Sequence, residues 1–109
     1  MGYIKHAGRD YEFEDRLLAH LQMVIGQKLK KQECFFLSWQ KPHDQGEGRM
    51  SIWISPYTTT AFHFSGSKEP ELSKVWVRAL NALAHTPRGL IAISEEEAER
   101  FAKNNPDLI

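Results

Sequence analysis

The chain has 109 residues, as many acidic as basic side chains, and one cysteine. That is the length of one domain, enough to bury a core without cross-links, and it excludes a disulfide framework. A net charge of zero supplies no global field toward nucleic acid or an anionic membrane, so any such binding must rest on a local patch.

Along the chain, YIKHAGRDYEFED reads as a hairpin. Tyr3 and Ile4 lead in, Gly8–Asp10 turns, and Tyr11 and Phe13 lead out. Asp15 then suits the N-cap of a helix. In DRLLAHLQMVIGQKLKK the residues Leu17, Leu18, Leu21, Val24, Ile25 and Leu29 form one apolar stripe. Lys28, Lys30 and Lys31 gather at the C-terminal end, where cations suit the helix dipole. Gly26 costs this helix about 1 kcal/mol relative to alanine, and close packing on a strand would explain it.

CFFLSW reads as a strand, with Phe35, Leu37 and Trp39 on one face and Cys34, Phe36 and Ser38 on the other. Cys34 is expected as a small buried hydrophobe. QKPHDQGEG is a polar loop punctuated by Pro42, Gly46 and Gly48. RMSIWIS and TAFHFS are strands joined by the turn PYTT, and with CFFLSW they make an antiparallel meander. GSKEPE opens a second helix with Pro70 at its first position, and Leu72, Val75, Trp76, Ala79, Leu80 and Leu83 form its stripe. HTPRG stops it, LIAIS is a short apolar strand, and EEEAERFAKN is a weakly held terminal helix with a solvated acidic start.

The order is ββαβββαβ, a single domain over 1–94 with a helical tail over 95–109. Two amphipathic helices need one apolar sheet face to cover. The fold class is therefore α+β, a two-layer domain on an antiparallel sheet. The far face then carries Phe36, Ser38, Ser51, Trp53, Ser55, Ala61 and His63, with Phe36, Trp53 and His63 as cross-strand neighbours. Aromatic side chains on an open face mark an interface. Three arrangements answer it: the tail helix or the hairpin folds over this face, two copies meet through it, or it serves as a ligand platform. A platform would stack bases on the rings and use Lys41 and Arg49 for phosphate.

The chemistry is otherwise sparse. The histidines His6, His20, His43, His63 and His85 include no pair at helical ligand spacing, and no cysteine pair exists, so no metal or cofactor is expected. His20 lies at the margin of the first stripe and reads as a structural histidine. No Gly-x-Ser-x-Gly elbow is present, GEGR joins two strands and reads as a turn, and no acid, base and nucleophile assemble. MGYIKHAGRD lacks the apolar core of a signal peptide. MGYIKH lacks the hydroxyl residue of a myristoylation signal, and no run reaches membrane-spanning length. The expectation is a soluble cytoplasmic protein with no membrane partner.

EFEDRLLAHLQMVIGQKL, FFLSWQ, GRMSIWISP and LSKVWVRALNALAHTPRGLIAISE together resemble a small actinobacterial family of single-domain proteins. The resemblance covers about residues 1–95. Its pattern coincides with Asp15, Arg16, His20, Ser38, Trp39, Arg49, Trp53 and Trp76. Members of that family often carry the label ATP-dependent DNA ligase, which implies a link to DNA repair or ligation. The chain has no Lys-x-Asp-Gly segment for covalent AMP transfer and no room for a nucleotidyltransferase domain. After folding roles are assigned, Arg49 and Trp53 are left over, with His20 as a weaker candidate. The leading expectation is a non-enzymatic module that self-associates as a homodimer through Phe36, Trp53 and His63. The alternative is a nucleic-acid-binding accessory domain using the same face with Arg49, Lys41 and the Lys28–Lys31 cluster, acting on nucleic acid or beside a DNA-processing protein.

Overall fold

The computed structural model describes residues 1–41, 46 and 48–108, so most of the QKPHDQGEG loop, including Pro42 and His43, lies outside the described residues. The elements are β1 (Gly2–His6), β2 (Arg9–Phe13), α1 (Asp15–Lys30), β3 (Phe35–Gln40), β4 (Arg49–Ile54), β5 (Thr60–His63), α2 (Lys74–Ala84), β6 (Leu90–Ile91) and α3 (Glu95–Asn104). A 3-10 turn over Pro106–Leu108 follows. The α+β class and the short C-terminal helix are as the periodicities require.

The strands form two sheets, not one meander. One has the order β2-β1-β5 and is antiparallel throughout; the other has the order β4-β3-β6, with β3 antiparallel to β4 and parallel to β6. The division occurs after β4. Ser55 is buried, its Oγ accepts from the Tyr57 N–H at 3.2 Å, and its carbonyl accepts from the Thr58 N–H at 3.2 Å. This closed turn, with Pro56 unable to donate, carries the chain away from β4. β5 pairs instead with β1, placing Phe62 opposite Ile4.

Local boundaries follow from caps. The β1–β2 turn is Ala7–Gly8, both at positive φ, starting one residue earlier than Gly8–Asp10 and one residue shorter. Such a two-residue turn matches the strand twist. Asp15 is the first helical residue of α1, not its cap. Glu14 occupies the cap position, and the Asp15 carboxylate accepts from the Gly66 N–H at 2.9 Å and the Ser65 N–H at 3.2 Å. Those bonds hold its carboxyl below the usual range and tie the chain after β5 to the start of α1. α2 begins after Ser73, whose Oγ accepts from the Trp76 N–H at 3.3 Å, so Pro70 precedes the helix and Leu72 stays largely exposed. α3 opens on a capping box between Ser94 and Glu97 and buries Ala98 against the core.

One core joins both sheets and all three helices. Ile4, Phe13, Leu18, Leu21, Val24, Ile25, Phe35, Leu37, Ile52, Ile54, Trp76, Leu80 and Leu90 are buried in it. Trp39 packs at its rim, edge-on to Tyr11 and Phe13, and so couples β3 to the first hairpin. Two side chains expected elsewhere change places. Lys28 is buried, 3.4 Å from the Glu33 carboxylate and 5.3 Å from the Phe35 ring, so Lys30 and Lys31 alone of that cluster are solvated. Cys34 is exposed, because β3 begins one residue later.

Two glycines have opposite meanings. At Gly89, with φ at 80°, a Cβ would sit 2.5 Å from the Phe36 carbonyl oxygen, so glycine is what lets the chain pass against β3 before β6. At Gly26 a Cβ would meet nothing within 4 Å, so it packs on no strand. Gly26→Ala is expected to raise stability by about 1 kcal/mol, and Gly89→Ala to lower it by about 2 kcal/mol or more. Urea denaturation of both variants measures the two shifts.

Candidate functional site

β3 has neighbours on both sides, and its hydrogen bonds alternate between them. The Lys41 N–H donates to the Gly48 carbonyl at 3.0 Å, which makes 41 and 48 a hydrogen-bonded pair. Counting back in register, the pairs Trp39/Met50, Leu37/Ile52 and Phe35/Ile54 exchange main-chain bonds, while Gln40/Arg49, Ser38/Ser51 and Phe36/Trp53 do not. The Ser38 carbonyl agrees, since it turns to β6 and accepts from the Ala92 N–H at 2.9 Å. In such non-bonded pairs the side chains approach most closely. The Ser38 and Ser51 hydroxyls lie 2.7 Å apart, and the Phe36 and Trp53 rings meet edge to face at 5.0 Å.

These pairs share the outer face of the β4-β3-β6 sheet. Phe36 is 46% and Trp53 49% exposed, although Ile52 and Ile54 beside them are buried. α3 docks on α2 and the N-terminal hairpin packs on the Trp39 side, so neither folds over this face. Arg49 starts β4 on the same face, opposite Gln40, and Lys41 follows β3; both are exposed. His63 is not brought here. It lies on β5 in the other sheet, opposite Tyr3, with the rings stacked at 4.7 Å. The expected Phe36–Trp53–His63 cluster is therefore a Phe36–Trp53 pair, because β5 left β4 for β1.

Among the described residues, β4 has no partner on its second side. By the alternation above, the main-chain N–H and C=O groups of Arg49, Ser51 and Trp53 point away from β3, toward that open side. None of the described hydrogen bonds uses them. The other sheet edges are blunted: β6 has two residues, β5 has four, and β2 carries Arg9, Asp10 and Glu12. β4 is six residues long with one charge.

A second group was legible only in part. His20 is fully buried, its ring stacked on Trp76 at 4.2 Å. Its Nε2 accepts from the Ser73 N–H at 2.8 Å, so Nδ1 carries the proton and donates to the Arg16 carbonyl at 2.7 Å. The imidazole is thus a tie between α1 and the cap of α2, with no free nitrogen for proton transfer. Arg16 lies 5.4 Å over the Trp76 ring and pairs with Glu95, and the Trp76 indole N–H donates to the Ile93 carbonyl at 3.0 Å. Glu95, expected as a solvated helix start, is a structural partner; nothing local to EEEAE signals an arginine 79 positions away.

This group floors an open cleft of about 1440 Å³ that reaches Ser38 and Ser51. Arg16, Lys41, Arg49 and Arg88 line it together with Glu14, Glu95, Glu96 and Glu97. The signs balance, so the cleft has no one-signed field to draw in a polyanion. Among the described residues, no three His, Cys, Asp or Glu side chains gather as a metal site needs, and no helix is long and apolar enough to cross a membrane.

Residues 1–95 match the family described as Domain of unknown function (DUF7882). The chain belongs to this family. No curated protein and no solved structure matches it. The DUF7882 match runs from β1 through β6 and ends at Glu95, where α3 starts. It therefore takes in both sheets, the open side of β4, and the Arg16–His20–Trp76 group with its carboxylate.

Burial holds the His20 imidazole below its ordinary value, outweighing the Arg16 carbonyl that favours the charged form. A histidine with a lowered folded value stabilises the fold above its unfolded value of about 6.5, and that stability is lost as pH falls through the folded value. Thermal unfolding between pH 7.5 and 5 should show stability falling, by up to about 1.4 kcal/mol per pH unit from this group. His20→Gln should start about 1–3 kcal/mol less stable and fall less steeply. Equal slopes in the two proteins would contradict the assignment.

Proposed function

We propose that this chain is a non-enzymatic interaction module that forms a homodimer through the outer face of the β4-β3-β6 sheet. The observation that carries the reading is the half-exposed Phe36–Trp53 pair, on a face that no described element covers. A folded chain gains nothing by leaving two large rings in water, whereas a partner that removes them from it gains about 25 cal/mol for each Å² of apolar surface. Tryptophan at the centre of a contact is a common anchor. Among the described residues, the perturbed ionisable groups Asp15, Arg16, His20 and Glu95 are occupied in holding elements together, which supports a binding role over a catalytic one. The reading places the protein in the cytoplasm, where the exposed Cys34 stays a thiol.

The nucleic-acid alternative uses the same Trp53 with Arg49 and Lys41, as an accessory to DNA repair or ligation. The balanced charges of the cleft favour it less, since such binding draws its affinity from phosphate neutralisation.

Sedimentation velocity of the native protein and of Trp53→Ala separates these readings. The native chain should sediment as a dimer. Trp53→Ala should dimerise at least 30-fold more weakly, a loss of about 2 kcal/mol, while its monomer stays folded by circular dichroism because Trp53 is half in solvent already. An unfolded variant would make Trp53 a structural residue and defeat the proposal. A monomeric native chain, with the Trp53 indole signal alone shifting on adding DNA at low salt, would transfer the face to nucleic acid.

A further inference from the structure

We infer that two copies join along the open side of β4 in one register: antiparallel, with Ser51 opposite Ser51 of the second copy and Arg49 of each copy over the Trp53 ring of the other. This rests on the self-association reading and moves the contact to the β4 edge of that face, where Arg49 of the second copy covers Trp53 while Phe36 stays on the outer surface of the joined sheet.

The main chain selects the residues. Only Arg49, Ser51 and Trp53 turn their N–H and C=O groups outward, so only these can form hydrogen-bonded pairs with a new neighbour. A two-fold axis makes the contact isologous, so each pair occurs twice about the centre. Centred on Ser51, every outward group of β4 meets an outward group of the second β4, and the paired residues run from Arg49 to Trp53 without leaving the strand. A shift of two residues one way puts Trp53 beyond the start of the second β4. The same shift the other way puts Arg49 opposite Ser55, which is buried beyond the end of the strand.

The side chains select the same register. Arg49, Ser51 and Trp53 all stand on the outer face, and residues opposite one another across a ladder share a face. The arrangement forms rows across the joined sheet. The central row continues the Ser38–Ser51 hydroxyl pair into the Ser51–Ser38 pair of the second copy. Each flanking row runs Phe36, Trp53, then Arg49 and Gln40 of the second copy. A guanidinium over an indole face is an attractive contact, and it occurs here on both sides of the axis. Two-residue slips set Arg49 or Trp53 opposite Ser51, and longer slips set Arg49 on Arg49 or Trp53 on Trp53, so each loses that complementarity. The joined sheet also removes the longest weakly protected edge of the fold.

Disulfide trapping tests the register on the full chain carrying Cys34→Ser, which removes the exposed native thiol. Hydrogen-bonded antiparallel partners have Cα atoms about 5.5 Å apart, within disulfide reach, whereas a two-residue slip adds about 7 Å along the strand. Ser51→Cys should therefore link to itself on mild oxidation. Arg49→Cys and Trp53→Cys should each stay unlinked alone, and should link to one another when the two variants are mixed, as read by intact mass. If the Cys34→Ser protein sediments as a dimer while Ser51→Cys does not link, the register is wrong and self-association stands. If that protein is monomeric at all concentrations, both fall.

Discussion

The main chain of β3 is bonded on both sides, and most of what distinguishes this molecule follows from it. Its even-numbered residues face β6 and its odd-numbered residues face β4, as the Ser38 and Lys41 hydrogen bonds fix. Each residue of β4 opposite an even-numbered partner is consequently turned outward, with no main-chain partner among the described residues. The same alternation brings Phe36 onto Trp53 and Ser38 onto Ser51. The open main chain and the exposed rings are two consequences of one register.

The rest of the fold holds that register rigid. Gly89 lets the chain pass against Phe36 and feed β6 into place. Trp39 clamps the far end of β3 to the first hairpin. The buried His20 ties α1 to the cap of α2, while Arg16 and Glu95 bring the start of α3 over Trp76. α3 is thereby committed to α2 and cannot cover the sheet. An interaction surface on strands held this way needs little ordering on binding, which lowers the entropic cost of association.

Local patterns were legible in the sequence; partner choice between strands was not. The stripes of α1 and α2 and the alternation of β3 and β4 follow from side-chain period, and they led directly to Phe36, Trp53, Arg49 and Lys41 as residues outside the core. The period cannot say which strand β5 joins. The buried Ser55 turn sends it to β1, and His63 goes with it. Lys28 looked solvated because three lysines cluster, yet its stem reaches over Phe35 to Glu33. Pro70 suits a helix start by local rule, yet Ser73 makes the better cap for α2 because its hydroxyl answers a helix N–H and its own N–H answers His20. In each case one specific hydrogen bond or packing contact overrode a rule of composition or period.

The central claim is that the outward groups of β4 are unpaired in one copy and paired between two. Amide hydrogen exchange reads this residue by residue. Met50, Ile52 and Ile54 are bonded to β3 and should exchange slowly at every protein concentration. Ser51 and Trp53 should exchange fast in dilute protein and become protected as concentration rises. If both exchange equally fast at low and high concentration, the edge stays open and the account is contradicted.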